Sequence, residues 1–207
     1  MTLVKICGIT RLEDALAAVD AGADALGFNF YARSPRYISP ANAREITRQL
    51  PPSILKVGVF VNEELQSLLT IASEANLSAV QLHGDETPAY CRELSGSYVI
   101  KAFSAGEDLD LSAYNVDAIM LDTKDDLLRG GTGRVFDWSI ARRARNSFPK
   151  LFLAGGLSPE NVAEAIATVK PYAVDACSSL EETPGKKDHA RMRAFVNAVR
   201  SVALDAD

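Results

Sequence analysis

The residues with chemistry to offer begin near the amino end. Cys7 closes a short apolar run, Val4-Lys5-Ile6-Cys7, and Gly8 lets the chain turn after it. Strand residues two apart share a face, so Lys5 and Cys7 point the same way. An ammonium beside a thiol favours the thiolate, which is the reactive form. Asp122 closes another apolar run, Ala118-Ile119-Met120-Leu121. A carboxyl there can deliver a proton at neutral pH only in an apolar or like-charged setting. Arg36 lies in a loop rich in Arg, Ser and Pro, and its guanidinium could hold a carboxylate in a bidentate fork. Gly155-Gly156 precede a helix start, where close backbone approach and N–H groups suit an anion. Ser178-Ser179 could add hydroxyl and N–H groups to the same anion. Asn29 and His83 close two further apolar runs. The set holds a thiol, a carboxyl, a cationic loop and two anion cradles.

Something must carry these residues to one place. Short apolar runs alternate with helical stripes along the whole chain. Runs fall at Val4–Cys7, Ala25–Phe30, Leu55–Val61, Ala79–Leu82, Val99–Phe103, Ala118–Leu121, Leu151–Ala154 and Ala173–Ala176. Helical faces follow most of them. Thr10 with Glu13 reads as a capping box, followed by Leu12, Ala15, Leu16 and Val19 on one face. Later helices start near Pro40, Leu65, Pro88 and Asp137. Another is capped by Ser158 with Pro159 in its first turn, and the last carries Met192, Phe195, Val196 and Val199. The fifth crossover is weak, one turn near 108–114. Strands alternating with helices imply a parallel sheet, and eight such units predict a closed (βα)8 TIM barrel over 1–207 as a single domain. An open doubly wound sheet is the runner-up, but no G-x-G-x-x-G follows a strand. Strands two, four and six each open with a small polar residue, Ala and an apolar residue: Asp24-Ala25-Leu26, Ser78-Ala79-Val80 and Asp117-Ala118-Ile119. In a barrel all strand ends meet at one rim, and the loops after strands seven and eight commonly hold a phosphate.

Composition narrows the partners. The chain has 207 residues and a net charge of -5, which argues against a nucleic-acid partner. No apolar run reaches the ~20 residues of a membrane span, and no secretory signal is expected. Cys7, Cys91 and Cys177 are odd in number and far apart, which suits reduced thiols and a cytoplasmic location. Cys91 is expected to be inert in a helix, and Cys177 to sit beside the anion site rather than opposite Asp122. His83 and His189 are distant, so no metal is expected. Gly130-Gly131-Thr132-Gly133-Arg134 reads as a mobile lid. Ordinarily amphipathic helix faces favour a monomer over a homodimer.

Several segments, in order, resemble the phosphoribosylanthranilate isomerase family. They are Lys5-Ile6-Cys7-Gly8-Ile9-Thr10, Gly27-Phe28-Asn29-Phe30, Ser34-Pro35-Arg36-Tyr37-Ile38 and Gln81-Leu82-His83-Gly84. Leu121-Asp122-Thr123, Gly133 with Phe136-Asp137-Trp138, Ala154-Gly155-Gly156-Leu157 and Pro184-Gly185-Lys186-Lys187-Asp188 continue the match. The resemblance implies a (βα)8 barrel without a cofactor that performs an Amadori rearrangement of a phosphosugar in tryptophan biosynthesis. It implies Cys7 as general base, Asp122 as general acid, Arg36 on the anthranilate carboxylate, and the loops bearing Gly155, Gly156, Ser178 and Ser179 on the phosphate. Lys5, Asn29 and His83 are expected to line the same substrate site. The chain departs from the family after strand eight. Ser179 stands where glycine is frequent and Cys177 where serine is common, so a left-handed backbone there would strain Ser179. The parallel isomerase of histidine biosynthesis is the nearest rival, but aspartates fill both roles in that family, and Cys7 speaks against it.

Overall fold

The computed structural model describes residues 1–104, 111–122 and 138–204. Eight parallel strands close into a barrel in chain order: β1 (Leu3–Ile6), β2 (Ala25–Asn29), β3 (Leu55–Phe60), β4 (Ala79–Leu82), β5 (Tyr98–Ser104), β6 (Ala118–Asp122), β7 (Leu151–Ala154) and β8 (Ala173–Ala176). Pairing of β1 with β8 completes the ring. The helices are α1 (Leu12–Ala21), α2 (Pro40–Thr47), α3 (Leu65–Glu74), α4 (Pro88–Glu93), α5 (Trp138–Ser147), α6 (Val162–Val169) and α7 (His189–Leu204). In the fifth crossover the described part is a short 3-10 turn, Leu111–Ala113. The loop expected as a lid, 130–134, lies outside the described residues, as do the start of the helix expected at Asp137 and residues 108–110 of the fifth crossover.

Strand alternation sorts the side chains into two cores. Ala25, Val57, Ala79, Ile100, Ala102, Ala118, Met120, Phe152, Ala154 and Ala173 fill the barrel interior. Val4, Ile6, Leu26, Phe28, Val80, Leu82, Val99, Leu121, Leu153 and Val174 point outward, under the helices. The sequence echo at the starts of alternate strands has its cause here. Ala25, Ala79, Ala118 and Ala173, from β2, β4, β6 and β8, all point inward. Following the strand register around the ring places them at one level, the layer that alternate strands supply in such barrels.

Some local expectations give way to tertiary contacts. Thr10 does not cap α1; the N-cap is Arg11, without a side-chain bond, and the Thr10 hydroxyl donates to the Gly185 carbonyl. Leu16 is exposed, whereas Ala15 and Ala18 are buried, because α1 packs by its small face against the sheet and α7. The helix expected from Ser158 starts at Val162 with Asn161 as N-cap, and Ser158 stands in a turn before it. After β8 a short 3-10 turn (Ser178–Leu180) leads into a hairpin of β9 (Glu181–Thr183) and β10 (Lys186–Lys187), which the strand patterns did not suggest.

One outward residue is a buried charge. Lys101 on β5 is only 2% exposed. Its Nζ donates to Glu86 Oε2 at 3.0 Å and to the carbonyls of Gly84 at 2.7 Å and Ala102 at 3.1 Å. Glu86 also accepts the backbone N–H groups of Asn62 and Gly84, so one ion pair fixes the loops after β3 and β4. Lys101→Met would leave the Glu86 carboxylate buried without its cation. The expected loss is about 3–5 kcal/mol of stability, read from urea unfolding; a loss below about 1 kcal/mol would contradict this role.

Candidate active site

The barrel places the predicted residues at the carboxyl ends of its strands. Carrying the register around the ring sets Asn29, His83, Asp122 and Cys177, from β2, β4, β6 and β8 or just past them, at the topmost inward level. Cys7, which follows β1, points inward just below, and Gln81 and Asp175 lie lower still. Cys177 stands at the start of the turn that bears Ser178 and Ser179, and it also faces into the mouth next to Cys7.

Lys5 and Cys7 share a face as their spacing requires. Lys5 is wholly buried, and its Nζ is 2.8 Å from Asp175 Oδ1. A residue with no exposure and a committed ammonium supports the site from beneath, so the expectation that Lys5 binds substrate is corrected. Burial opposes its charge, yet Asp175 and then Cys7 outweigh that penalty and hold the Lys5 pKa above its ordinary value. Asp175 is pushed up to about 7 by burial, against the pull of Lys5. Cys7 is free and buried. A hydrogen bond from Cys177 leads the effects that hold its thiol well below the usual range, with Lys5 and Lys187 adding to it against burial. Gly27 makes room for this arrangement, since a Cβ there would lie 2.7 Å from the Cys7 sulfur and 3.2 Å from Lys5 Nζ.

Of the apolar or like-charged setting expected for Asp122, the structure gives a like-charged neighbour, Asp175, rather than a dry surround. The Asp122 side chain is 27% exposed, and its Oδ2 is 3.2 Å from His83 Nε2. Gln81 Nε2 lies 2.8 Å from His83 Nδ1, which orients the ring. Gln81 Oε1 is buried without a partner among the described residues.

Arg36 spends its fork on the protein. Its Nε donates to Glu181 Oε1 and Oε2 at 2.9 and 3.0 Å, and its Nη2 to Oε2 at 2.6 Å. The bidentate grip expected for a ligand carboxylate is thus already taken by Glu181, and the pairing raises the Arg36 pKa further. Glu181 also accepts Lys187 Nζ at 2.9 Å and Gly185 N at 3.3 Å. Burial raises the Glu181 carboxyl, but Arg36 and Lys187 outweigh it and the pKa falls. Neither Glu181 nor Lys187 was singled out in the sequence. The Pro184-Gly185 dipeptide was the available signal for a hairpin turn, and a turn so soon after the last strand would return its flanks to the rim. Asn29 is occupied too. Its side chain accepts from Tyr31 N at 2.9 Å and donates to Ser34 Oγ at 3.1 Å, and Ser34 Oγ accepts from Arg36 N at 3.1 Å. Asn29 shapes the loop that carries Arg36.

Gly155 and Gly156 have φ of 87° and 63°, a conformation that glycine adopts without strain. The Ser179 hydroxyl donates to the Leu157 carbonyl and stitches the loops after β7 and β8 together. Ser179 lies in the 3-10 turn and is not among the residues with positive φ, so the strain considered for it does not arise. Ser178 is exposed at the rim.

A closed (βα)8 barrel with a lowered-pKa thiol and a histidine-paired carboxyl at one mouth defines an enzyme class that moves protons on a small substrate. Comparison with known proteins narrows it. The sequence profile of N-(5'-phosphoribosyl)anthranilate isomerase matches residues 4–198. The enzyme of that name from Thermotoga neapolitana is 50% identical over 206 residues, covering 98% of this chain and 100% of its own. That from Citrifermentans bemidjiense is 50% identical over 207 residues, 99% and 100% of the two chains. The crystal structure of the Thermotoga maritima isomerase is similar with a TM-score of 0.88 at 48% identity, over 97% of this chain and 100% of that one. The chain belongs to the N-(5'-phosphoribosyl)anthranilate isomerase family.

Iodoacetamide distinguishes the thiols. A lowered pKa gives Cys7 more thiolate at neutral pH than an ordinary thiol has, whereas burial pushes the Cys91 thiol up. Peptide mass mapping at pH 7 should show Cys7 alkylated well before Cys91. Equal labelling of both would refute the electrostatic reading of the site.

Proposed function

We propose that this chain converts N-(5-phosphoribosyl)anthranilate to 1-(2-carboxyphenylamino)-1-deoxyribulose 5-phosphate, the isomerisation step of tryptophan biosynthesis, with Cys7 as general base and Asp122 as general acid. The observation that carries it is the meeting of the Cys7 thiol and the His83–Asp122 pair at one barrel mouth in a chain of this family. A related structure at 46% identity holds reduced 1-(o-carboxyphenylamino)-1-deoxyribulose 5-phosphate, which supports a phosphosugar substrate.

The chemistry runs in two proton transfers. The Asp122 carboxyl gives its proton to the furanose ring oxygen, the C1'–O bond breaks, and the anthranilate nitrogen lone pair forms a protonated imine. That imine acidifies the C2' proton. The Cys7 thiolate removes it, the released electron pair forms the C1'=C2' double bond, and the C1'=N π pair returns to nitrogen to give an enolamine. Tautomerisation to the ketone completes the rearrangement without a cofactor. Lys5 beneath Cys7 favours the thiolate at the start of the cycle. The substrate carboxylate meets Arg36 on the Nη1 side, since Nε and Nη2 bind Glu181. The phosphate rests on the loops of Gly155, Gly156, Ser178 and Ser179, where Ser179 serves through its N–H because its hydroxyl is given to Leu157. Three unpaired thiols suit the cytoplasm as its compartment. Among the described residues no helix is long and apolar enough to cross a membrane.

Purified protein with EDTA, given freshly made phosphoribosylanthranilate, should abolish the substrate's fluorescence without release of free anthranilate. Cys7→Ala and Asp122→Asn should each lower kcat by about 100-fold or more in folded protein. A wild-type rate equal to the uncatalysed one would overturn the function, and near-normal turnover in either variant would remove that residue from its role.

We retain the monomer. The exposed large apolar side chains are few: Leu16 on α1, Leu69 on α3, Tyr37 in the loop after β2, and Met1 and Tyr172 just before β1 and β8. A Thermotoga maritima relative is described as dimeric. Light scattering across a concentration series should give the single-chain mass; twice that mass throughout would refute the monomer.

A further inference from the structure

The β1–β8 seam brings Cys177 to the side of Cys7. The strands pair Leu3 with Ala173, Val4 with Val174, Lys5 with Asp175 and Ile6 with Ala176. Cys7 N donates to Ala176 O at 2.9 Å, so the ladder continues one residue past the strands. Lys5 and Asp175 point inward from this seam and meet at 2.8 Å. Two residues further along, the same alternation turns Cys7 and Cys177 inward as the next pair. The Cys177 sulfur lies 2.9 Å from where a Cβ on Gly8 would stand, against the residue that follows Cys7.

We propose that Cys177 is a positioning residue for the isomerisation: its S–H donates to the Cys7 sulfur and supports the negative charge that the base carries. The proposal rests on the reading of Cys7 as base.

Two adjacent thiols do not both ionise readily, because the second charge would face the first. The pair therefore holds one proton, and the surrounding charges decide which sulfur keeps it. Lys5 lies under Cys7, with Asp175 as its counter-ion. Cys177 Sγ donates to Glu181 Oε1 over a long 4.0 Å and accepts from Lys187 Nζ at 3.8 Å. Glu181 already accepts from Arg36, Lys187 and Gly185, so its oxygens have little call on the Cys177 proton. Lys187 Nζ also donates to the Cys177 carbonyl at 3.2 Å, which fixes the backbone that aims the thiol. The negative charge belongs on Cys7, above the ammonium, and the proton on Cys177, beside the carboxylate. The directions agree: Cys7 is held well below the ordinary thiol value, and Cys177 well above it, with their mutual hydrogen bond as the leading cause of both.

The test compares Cys177→Ala and Cys177→Ser with wild type, fully reduced, by two readouts. One is the ultraviolet absorbance of the thiolate against pH, with the Cys7→Ala spectrum subtracted. The other is the pH dependence of kcat and KM. Alanine removes the donor, so the Cys7 titration and the acidic limb of kcat should both move up by about one pH unit or more. Below that limb kcat falls about tenfold, KM stays unchanged, and activity recovers at higher pH. Serine supplies an O–H donor of similar size and should bring both curves back towards wild type. An unmoved titration in the alanine variant would overturn the proposal while leaving Cys7 as base. A titration that moves while kcat does not would overturn Cys7 as base, and the positioning role with it. A loss that is equal at every pH, and that serine does not restore, would mark Cys177 as merely structural and also overturn the proposal.

Discussion

The ion pair between Lys5 and Asp175 inside the barrel is the contact on which the mouth depends. Both charges are out of water, and each would be costly without the other. They meet only because β1 closes the ring on β8 in one register. A slip of one residue would turn Lys5 outward under the helices and Ile6 inward. The same register seats Cys7 above the Lys5 ammonium and Cys177 at its side. The closure of the barrel and the charge on the base are therefore one structural fact. Gly27 completes it by leaving the space that Lys5 and the Cys7 sulfur occupy.

A second buried knot stands on the other side of Cys177. Glu181 gathers Arg36 from the loop after β2, Lys187 from β10 and the Gly185 backbone. It joins the loop after β2 to the hairpin after β8, 145 residues on, and it orients the Arg36 guanidinium before any ligand arrives. Holding a guanidinium in place by a carboxylate costs it part of its fork. In exchange its position is fixed, and fixed geometry is what converts binding into oriented reaction.

The eight strands were legible because each is a short apolar run that ends on a Gly or a polar residue. The barrel followed from their number and their alternation with helices. Cys7, Asp122, His83 and Asn29 were legible as candidates because each stands at a strand end. What they touch was not. Asn29 reads as a ligand-binding amide, yet it ties the loop that carries Arg36. Thr10 reads as a cap, yet its hydroxyl reaches Gly185, 175 residues away. Local pattern identifies a capping residue only when no distant acceptor competes for its hydroxyl. Leu16 reads as core because spacing alone does not tell which edge of an apolar face meets the sheet. Glu181 and Lys187 were hidden for a related reason. Charged residues in a two-stranded hairpin look like solvated surface until the barrel folds over them.

The acid presents the subtler constraint. A neutral His83 that accepts from Gln81 Nε2 at Nδ1 carries its proton on Nε2 and donates it to an Asp122 carboxylate. Ring opening needs a carboxylic acid. The orphaned Gln81 Oε1 bears on how one is obtained. Turning the Gln81 amide by half a revolution presents Oε1 to His83 Nδ1, which then becomes the donor. Nε2 is left with a lone pair that can accept from a protonated Asp122. The two amide orientations thus suit two states that differ by one proton, a carboxylate beside a ring protonated at Nε2 and a carboxylic acid beside a ring protonated at Nδ1, and in either orientation one polar atom of Gln81 goes unpaired. In the second of these states the pair holds the proton that ring opening gives to the furanose oxygen.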